Sequence, residues 1–295
     1  MPAGVPPRQV LPRWPNGHLA AAFFSFDVDG ESWLLSADRG NGDLPVTMSQ
    51  ARYGPRVGVY EILRVLARRG IQSTFFVPSA VAMRYPDTVR AIIGEGHEVG
   101  LHGVEHERPD LLSPDHERAI MDQSITTLAG FIGASPSGYR APGAEVSPHT
   151  IEILAAKGVS YDSSFMDDVF PYFHDLAEGP SVLELPIHWT LDDWSYSMNS
   201  PYARPVPHAN PIRRGAEIAQ IWIEELQAIV EMGGLFVLVN HPQVTGRASR
   251  LGSLETTIRE AQSDSRIWVA NGQQLNDWWR KARPASPSGL ERMRR

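Results

Sequence analysis

Apolar positions recur along the chain in short runs separated by helical stripes. Residues 19–28 form an apolar stretch with the character of a strand. Val59, Ile62, Leu63 and Leu66 share one face of a helix predicted over residues 54–70, with Gly70 placed to stop it. A short strand at 72–77, a helix at 87–94 and a strand at 97–101 follow. Ser113-Pro114 and Ser147-Pro148 each read as a helix start, Ser capping the first amides and Pro suiting the first turn. Further strands are expected near Ser160-Tyr161, at 182–185, at 235–239 and at 267–269. Helices are expected at about 212–231 and 273–281, with another between the last two strands.

Strands apolar on both faces and alternating with helices indicate a mainly parallel sheet with helices outside. Seven or eight such units fit a closed or nearly closed α/β barrel, in which reactive residues belong at the C-terminal strand ends. One domain is expected over residues 19–282, after an extension at 1–18 and before a basic, mobile tail at 283–295. Two stretches, 32–53 and 170–210, look irregular, and long loops of this kind usually serve function or contact a second subunit.

Composition narrows the chemistry. The 295 residues include no cysteine, so disulfides, thiolate nucleophiles and Cys-ligated metals are excluded. Any metal must sit among His, Asp and Glu. The net charge of −7 is uneven: residues 280–295 carry six basic side chains and one acidic one, leaving −12 on the rest. An acidic body argues against nucleic acid as a partner. No run is long enough to span a bilayer, and the Pro-rich first 18 residues do not resemble a secretory signal, so a cytoplasmic location is expected.

Five segments could carry chemistry. In Phe24-Ser25-Phe26-Asp27-Val28-Asp29-Gly30, strand alternation puts Ser25, Asp27 and Asp29 on one face, toward the barrel interior. Two carboxylates there repel unless a cation or proton intervenes. In Gly100-Leu101-His102-Gly103-Val104-Glu105-His106, the two imidazoles would lie on the same side of one helical turn, within reach of one metal. Such a spacing is usually incidental, but here it follows a predicted strand. His97 reads as a packed histidine. Arg140, in Tyr139-Arg140-Ala141-Pro142-Gly143, could hold a carboxylate bidentately. Tyr161-Asp162-Ser163-Ser164 and Asn240-His241-Pro242 close the set.

In this order the five segments resemble the polysaccharide deacetylase family, also called carbohydrate esterase family four or the nodulation-deacetylase homology domain, over residues 20–279. The resemblance implies a distorted (β/α)7 barrel. It implies that Asp29, His102 and His106 bind a divalent metal, commonly Zn2+, with Co2+ or another divalent ion as alternatives. It further implies that Asp27 is the general base, paired with Arg140, and that the Gly143 N–H helps form an oxyanion hole. His241 would be the general acid, oriented by Asp162.

The departures bear on substrate. The first motif is Asp-Val-Asp rather than adjacent aspartates, and Ala141, Gly143 and Ala144 stand where the family usually has aromatic residues. With Glu184-Leu185-Pro186 and Trp189-Thr190-Leu191-Asp192-Asp193, these features look like a subgroup of peptidoglycan deacetylase-like, cyclic imide hydrolase and allantoinase-like proteins. The expected activity is hydrolysis of non-peptide C–N bonds, foremost deacetylation of an N-acetylated sugar or peptidoglycan-like substrate. Opening of a cyclic amide is the alternative, and a catalytically silent carbohydrate- or metal-binding protein is the reading from another class. The expected partners are a glycan or small-molecule substrate and further copies of the chain, as dimer or tetramer, without nucleic acid or membrane.

Overall fold

The computed structural model describes residues 14–177 and 179–282. Its strands are β1 (Ala20–Asp27), β2 (Thr74–Val77), β3 (Glu98–Leu101), β4 (Gly138–Tyr139), β5 (Tyr161–Asp162), β6 (Tyr172–Phe173), β7 (Leu183–Glu184), β8 (Asn199–Ser200), β9 (His208–Ala209), β10 (Leu235–Asn240) and β11 (Ile267–Val269). The helices are α1 (Ser32–Ala37), α2 (Pro45–Tyr53), α3 (Val59–Arg69), α4 (Ser79–Arg84), α5 (Pro86–Gly94), α6 (Pro114–Ile132), α7 (Thr150–Ala156), α8 (Trp194–Ser197), α9 (Gly215–Met232), α10 (Ala248–Ser263) and α11 (Gly272–Ala282).

The main sheet runs in the order β10-β1-β2-β3-β4-β5-β7-β6. All its pairings are parallel except β6 on β7. One edge of β1 is shared, β11 pairing with Ala20–Ala22 and β2 with Ser25–Asp27. Beyond β7 the chain curls round until Asp192 bridges to Val239 on β10. That contact brings the two ends of the curled sheet together, in agreement with the expected distorted (β/α)7 barrel.

The pleat of β1 divides the core. Ala20, Ala22, Phe24, Phe26 and Val28 pack outward against helices, beside Ile62, Leu66 and Trp222. Ala21 and Phe23 point inward and join Phe76, Tyr161, Leu183, Leu235, Val237 and Leu275 in the barrel's interior. Each fully buried large side chain contributes about 1.5–3 kcal/mol. With both faces apolar, the strand's polar residues concentrate at its C-terminal end.

Several sequence expectations shift. Residues 32–53 are not irregular: α1, a 3-10 turn at Arg39–Asp43 and α2 fill the stretch. Their apolar residues, among them Trp33, Leu34, Met48 and Ala51, pack against Met198 and Val244. The stability is therefore tertiary and leaves little local period to read. The stretch at 170–210 holds only short elements. The helix expected after Ser147-Pro148 begins at Thr150, and Ser147 does cap its start: its Oγ accepts from His149 N at 3.0 Å while donating to the buried Glu117 carboxylate at 2.5 Å. The extension expected at 1–18 is not wholly separate, since Trp14 is buried against Trp268 and Trp279. Residues 1–13 and the expected tail at 283–295 lie outside the described residues. Among the described residues, no helix is long and apolar enough to cross a membrane.

One close approach ties the scaffold to the site. The expected helix at 54–70 is a π-type turn, Gly54–Gly58, followed by α3, and Gly70 stops it in the left-handed region at φ 64°. A Cβ on Gly58 would fall 2.1 Å from the carbonyl oxygen of Pro242, next to His241. Gly58→Ala is therefore expected to cost about 1–3 kcal/mol by overpacking. A fall in thermal midpoint together with weakened activity checks this; a variant as stable and active as the parent would contradict it.

Candidate active site

Asp27 closes β1, and its Oδ1 receives a 2.9 Å hydrogen bond from Arg140 Nη1. Arg140, 1% exposed, is held by more than this pair. Nη1 also donates to Ser25 Oγ, Nε to the Ser163 carbonyl and Nη2 to Ser163 Oγ, at 2.8–2.9 Å. Its guanidinium lies 4.4 Å from the Phe76 ring centroid. The hold on Asp27 is a single hydrogen bond rather than the expected bidentate pair, because the other donors of the fork go to Ser25 and Ser163; it fixes one oxygen of the carboxylate.

Two residues on, Asp29 faces three imidazoles. Its Oδ1 is 3.4 Å from His102 Nε2 and 3.9 Å from His106 Nε2, while its Oδ2 is 3.8 Å from His241 Nε2. Burial alone would raise the Asp29 carboxyl, but in acid, where the neighbouring imidazoles are cationic, His102, His106 and His241 draw it down to about 2, so it stays anionic at neutral pH. Burial pushes His106 down to about 4, leaving it neutral with a lone pair to offer. Gln243 Nε2 donates to Asp29 Oδ2 at 3.2 Å.

Asp29, His102 and His106 place one ligand atom each within 4.8 Å of one another. The fit to a cation can be judged from the protons. His102 Nδ1 lies 2.8 Å from the Arg140 carbonyl, which can only accept, so Nδ1 carries the hydrogen. His102 Nε2 then presents a lone pair toward Asp29 Oδ1, another acceptor. Both atoms are buried and neither has a hydrogen-bond partner. Two acceptors facing each other in a dry site repel unless a cation lies between them, and an Asp/His/His set suits a divalent ion with open positions.

The imidazoles do not sit on a helical turn as expected. Residues 102–107 form a loop after β3, and His106 has φ 62°, a left-handed conformation that costs a non-glycine residue on the order of 1–3 kcal/mol. The loop is pinned from three sides. Ser79 N and Ala80 N donate to the carbonyls of Gly103 and Val104. Ser124 Oγ also donates to Gly103, and Glu107 Oε2 accepts from Val104 N and Glu105 N. Glu107→Ala frees two amides of the loop and is expected to weaken metal binding about 10–100-fold. Chelator competition measures this, and an unchanged dissociation constant would rule out the pinning role.

His241 follows β10, and its partner corrects the sequence expectation. Asp162 does not reach it; Asp193 does. Asp193 Oδ1 lies 2.7 Å from His241 Nδ1, and Asp193 Oδ2 accepts from His241 N and Thr245 Oγ1 at 2.9 and 2.5 Å. With Nδ1 bound to Asp193, Nε2 faces the site. Burial disfavours the imidazolium, but the carboxylates of Asp193, Asp192 and Asp29 outweigh it and hold His241 well above an ordinary histidine. Asp162 sits on the other face of the barrel wall. Tyr161 occupies the interior, so its neighbour on the strand points outward, to Ser164 and toward Glu184.

The structure thus brings Asp27, Asp29, His102, His106, Arg140 and His241 together and leaves Asp162 out. Gly143 lies in the turn after β4 with φ 70°, three residues beyond Arg140. His97 is a buried packing residue whose Nδ1 accepts from Ser73 N. Sequence reasoning missed Asp193 and Gln243. The paired acids Asp192-Asp193 and the run His241-Pro242-Gln243 were the available signals, but they meet only in the fold, through the Asp192–Val239 bridge and the hydrogen bonds of Asp193 to His241.

Known proteins resemble the chain in family and fold. A family model described as polysaccharide deacetylase matches residues 52–161, a span that includes His102, His106 and Arg140. A peptidoglycan deacetylase of Helicobacter pylori is 26% identical over 285 residues, covering 88% of this chain and 96% of that protein. A Mycobacterium smegmatis structure assigned to the polysaccharide deacetylases superposes with a TM-score of 0.88 at 38% identity, over 94% of this chain and 96% of that one. The structure of Puue allantoinase shares the fold, with a TM-score of 0.80 at 20% identity over 92% and 94% of the two chains.

Proposed function

The chain belongs to the polysaccharide deacetylase family, and we propose from that premise that it removes the acetyl group from an N-acetylated sugar or peptidoglycan-like substrate. The observation that carries the reading is the meeting, around Asp29, of a lone-pair imidazole with no donor, an Arg-clamped carboxylate and a carboxylate-backed histidine. The peptidoglycan deacetylase of H. pylori, similar along nearly its whole length, supports the substrate class.

Asp29, His102 and His106 would hold a divalent cation, zinc by the preference of an N/O ligand set. When bound, it supplies Lewis-acid polarisation of the amide carbonyl and acidifies a water molecule. Asp27 accepts a proton from the attacking water, its oxygen aimed by Arg140. The Gly143 N–H donates to the oxyanion that develops on the former carbonyl oxygen. His241 gives the proton on Nε2 to the departing nitrogen, which would otherwise leave as a strongly basic amide anion. Asp193 keeps that imidazole charged and aimed.

A panel of N-acetylglucosamine oligomers, hydantoin, succinimide and allantoin, offered to metal-loaded protein, tests the assignment. Acetate release without ring opening is expected. Ring opening without acetate would replace the deacetylase with a cyclic amide hydrolase, and turnover of neither would leave a binding protein. We further infer a cytoplasmic homo-oligomer of two or four copies. The oligomer rests on the irregular stretch at 170–210, which exposes Tyr202 and Val206 and is followed by exposed Ile212. Light scattering at multiples of 32.7 kDa checks the oligomer.

A further inference from the structure

Two buried polar residues, Thr245 and Asn240, stand behind the Asp193–His241 pair. The turn after β10 folds back on itself, the amides of Val244 and Thr245 donating to the His241 carbonyl and that of Gly246 to Pro242. Gly246 permits the tightness, since a Cβ there would fall 2.3 Å from the Pro242 carbonyl oxygen. The turn brings Thr245, 1% exposed, back to the level of Asp193. Asp193 is equally buried, and no lysine or arginine among the described residues pairs with it. Its Oδ1 meets His241 Nδ1, and its Oδ2 accepts from His241 N and Thr245 Oγ1.

A single hydroxyl hydrogen decides the direction of these contacts. Thr245 Oγ1 lies 2.5 Å from Asp193 Oδ2 and 2.9 Å from Asn240 Oδ1, both acceptors, and has one hydrogen to give. The shorter contact, to the carboxylate, has the length of an O–H···O⁻ bond and takes that hydrogen. Thr245 Oγ1 and Asn240 Oδ1 would then meet lone pair to lone pair, while Asn240 Nδ2, wholly buried, has no partner. With the Asn240 amide turned over, both faults disappear: Nδ2 donates to Thr245 Oγ1, and Thr245 donates to Asp193. The carbonyl oxygen left without a donor is a smaller cost than an orphaned N–H. A hydroxyl that accepts as it donates is also the stronger donor.

We propose that a one-way chain of hydrogen bonds, Asn240 Nδ2 to Thr245 Oγ1 to Asp193 Oδ2, fixes the carboxylate that aims His241. Thr245 and Asn240 are thereby positioning residues for protonation of the leaving group, which rests on the reading of His241 as the general acid of a deacetylase. The chain itself moves no proton. As the C–N bond breaks, its electron pair stays on nitrogen and His241 Nε2 gives that nitrogen its hydrogen. His241 ends neutral, with Nδ1–H still on Asp193 Oδ1. Without the Thr245 hydroxyl, Oδ2 keeps the His241 amide but loses its second anchor. The carboxylate can then turn, and the direction of Nε2 turns with it.

Rates of the zinc-loaded full chain on two acetylated substrates test the proposal. The amine of an N-acetylglucosamine oligomer must be protonated to leave, whereas 4-nitrophenyl acetate expels a stable phenolate unaided. Thr245→Val keeps the shape and removes the hydroxyl. It is expected to lower kcat on the oligomer about 10–100-fold, as for one hydrogen bond to a charged group, with KM unchanged and the ester rate within about twofold of the parent. Thr245→Ala, which also lacks the hydroxyl, should behave alike, and Thr245→Ser should recover the oligomer rate. Asn240→Leu, close in shape, should show the same selective loss on a smaller scale; parent rates on both substrates would remove Asn240 from the chain. Asp27→Asn should lose both activities, which places the ester in the same site. Equal losses on the two substrates in Thr245→Val, no loss, or no recovery in Thr245→Ser would overturn the proposal and make the hydroxyl a packing contact. Failure of the underlying reading looks different and takes the proposal with it: the parent itself releases no acetate from the oligomer, or His241→Ala slows both substrates alike.

Discussion

Asp27→Asn is expected to lower the rate of acetate release by on the order of 10²–10⁴ while leaving the metal content unchanged. Asparagine keeps the shape and can still accept from Arg140, but it cannot take a proton from water. Asp27 is not among the ligand atoms gathered around Asp29, so loss of activity without loss of metal separates a base from a ligand. The substitution also leaves Arg140 buried without its anion. Breaking such a pair can cost about 3–5 kcal/mol, offset here because Ser25, Ser163 and the Phe76 face also hold the guanidinium. Rates should therefore be compared where circular dichroism shows both proteins folded. A variant that keeps its rate would remove Asp27 from the chemistry.

His241→Ala is expected to bring a loss of the same order, because it removes the proton that Nε2 holds 3.8 Å from Asp29 for the departing nitrogen. The more discriminating variant is Asp193→Asn. The proton-bearing form of His241 is present below its raised pKa and is lost as pH rises through it. That titration sets the alkaline limb of the rate profile. Removing the Asp193 charge withdraws the foremost attraction favouring the imidazolium, so the limb should move to lower pH, with kcat falling at pH 8 more than at pH 6. A purely structural role for Asp193 would lower kcat equally at all pH values and leave the limb in place.

Most of the site was legible because the barrel makes it so. Asp27, His102 and Arg140 each end or follow an apolar strand, and a parallel barrel gathers such ends at one mouth. Asp162 ends a strand too, and it misled. A strand of two residues gives no pattern from which to read the facing of its side chains, and only the packing of Tyr161 inward settles it. Asp193 was hidden for the opposite reason: its partner is 48 residues away, and Asp193 itself sits just before the short α8 in a stretch with no period to read. The helices within 32–53 were hidden because their apolar residues answer to distant partners such as Met198 and Val244.

The most direct test of the central claim is a time course of acetate and free amine released from N-acetylglucosamine oligomers by the zinc-loaded chain, run beside Asp27→Asn. The account predicts acetate and amine in equal amounts from the parent protein and a rate at least a hundredfold lower, on the order of the base-catalysis contribution, from the variant. Equal rates from the two proteins, or no acetate from the parent while allantoin is opened, would contradict it.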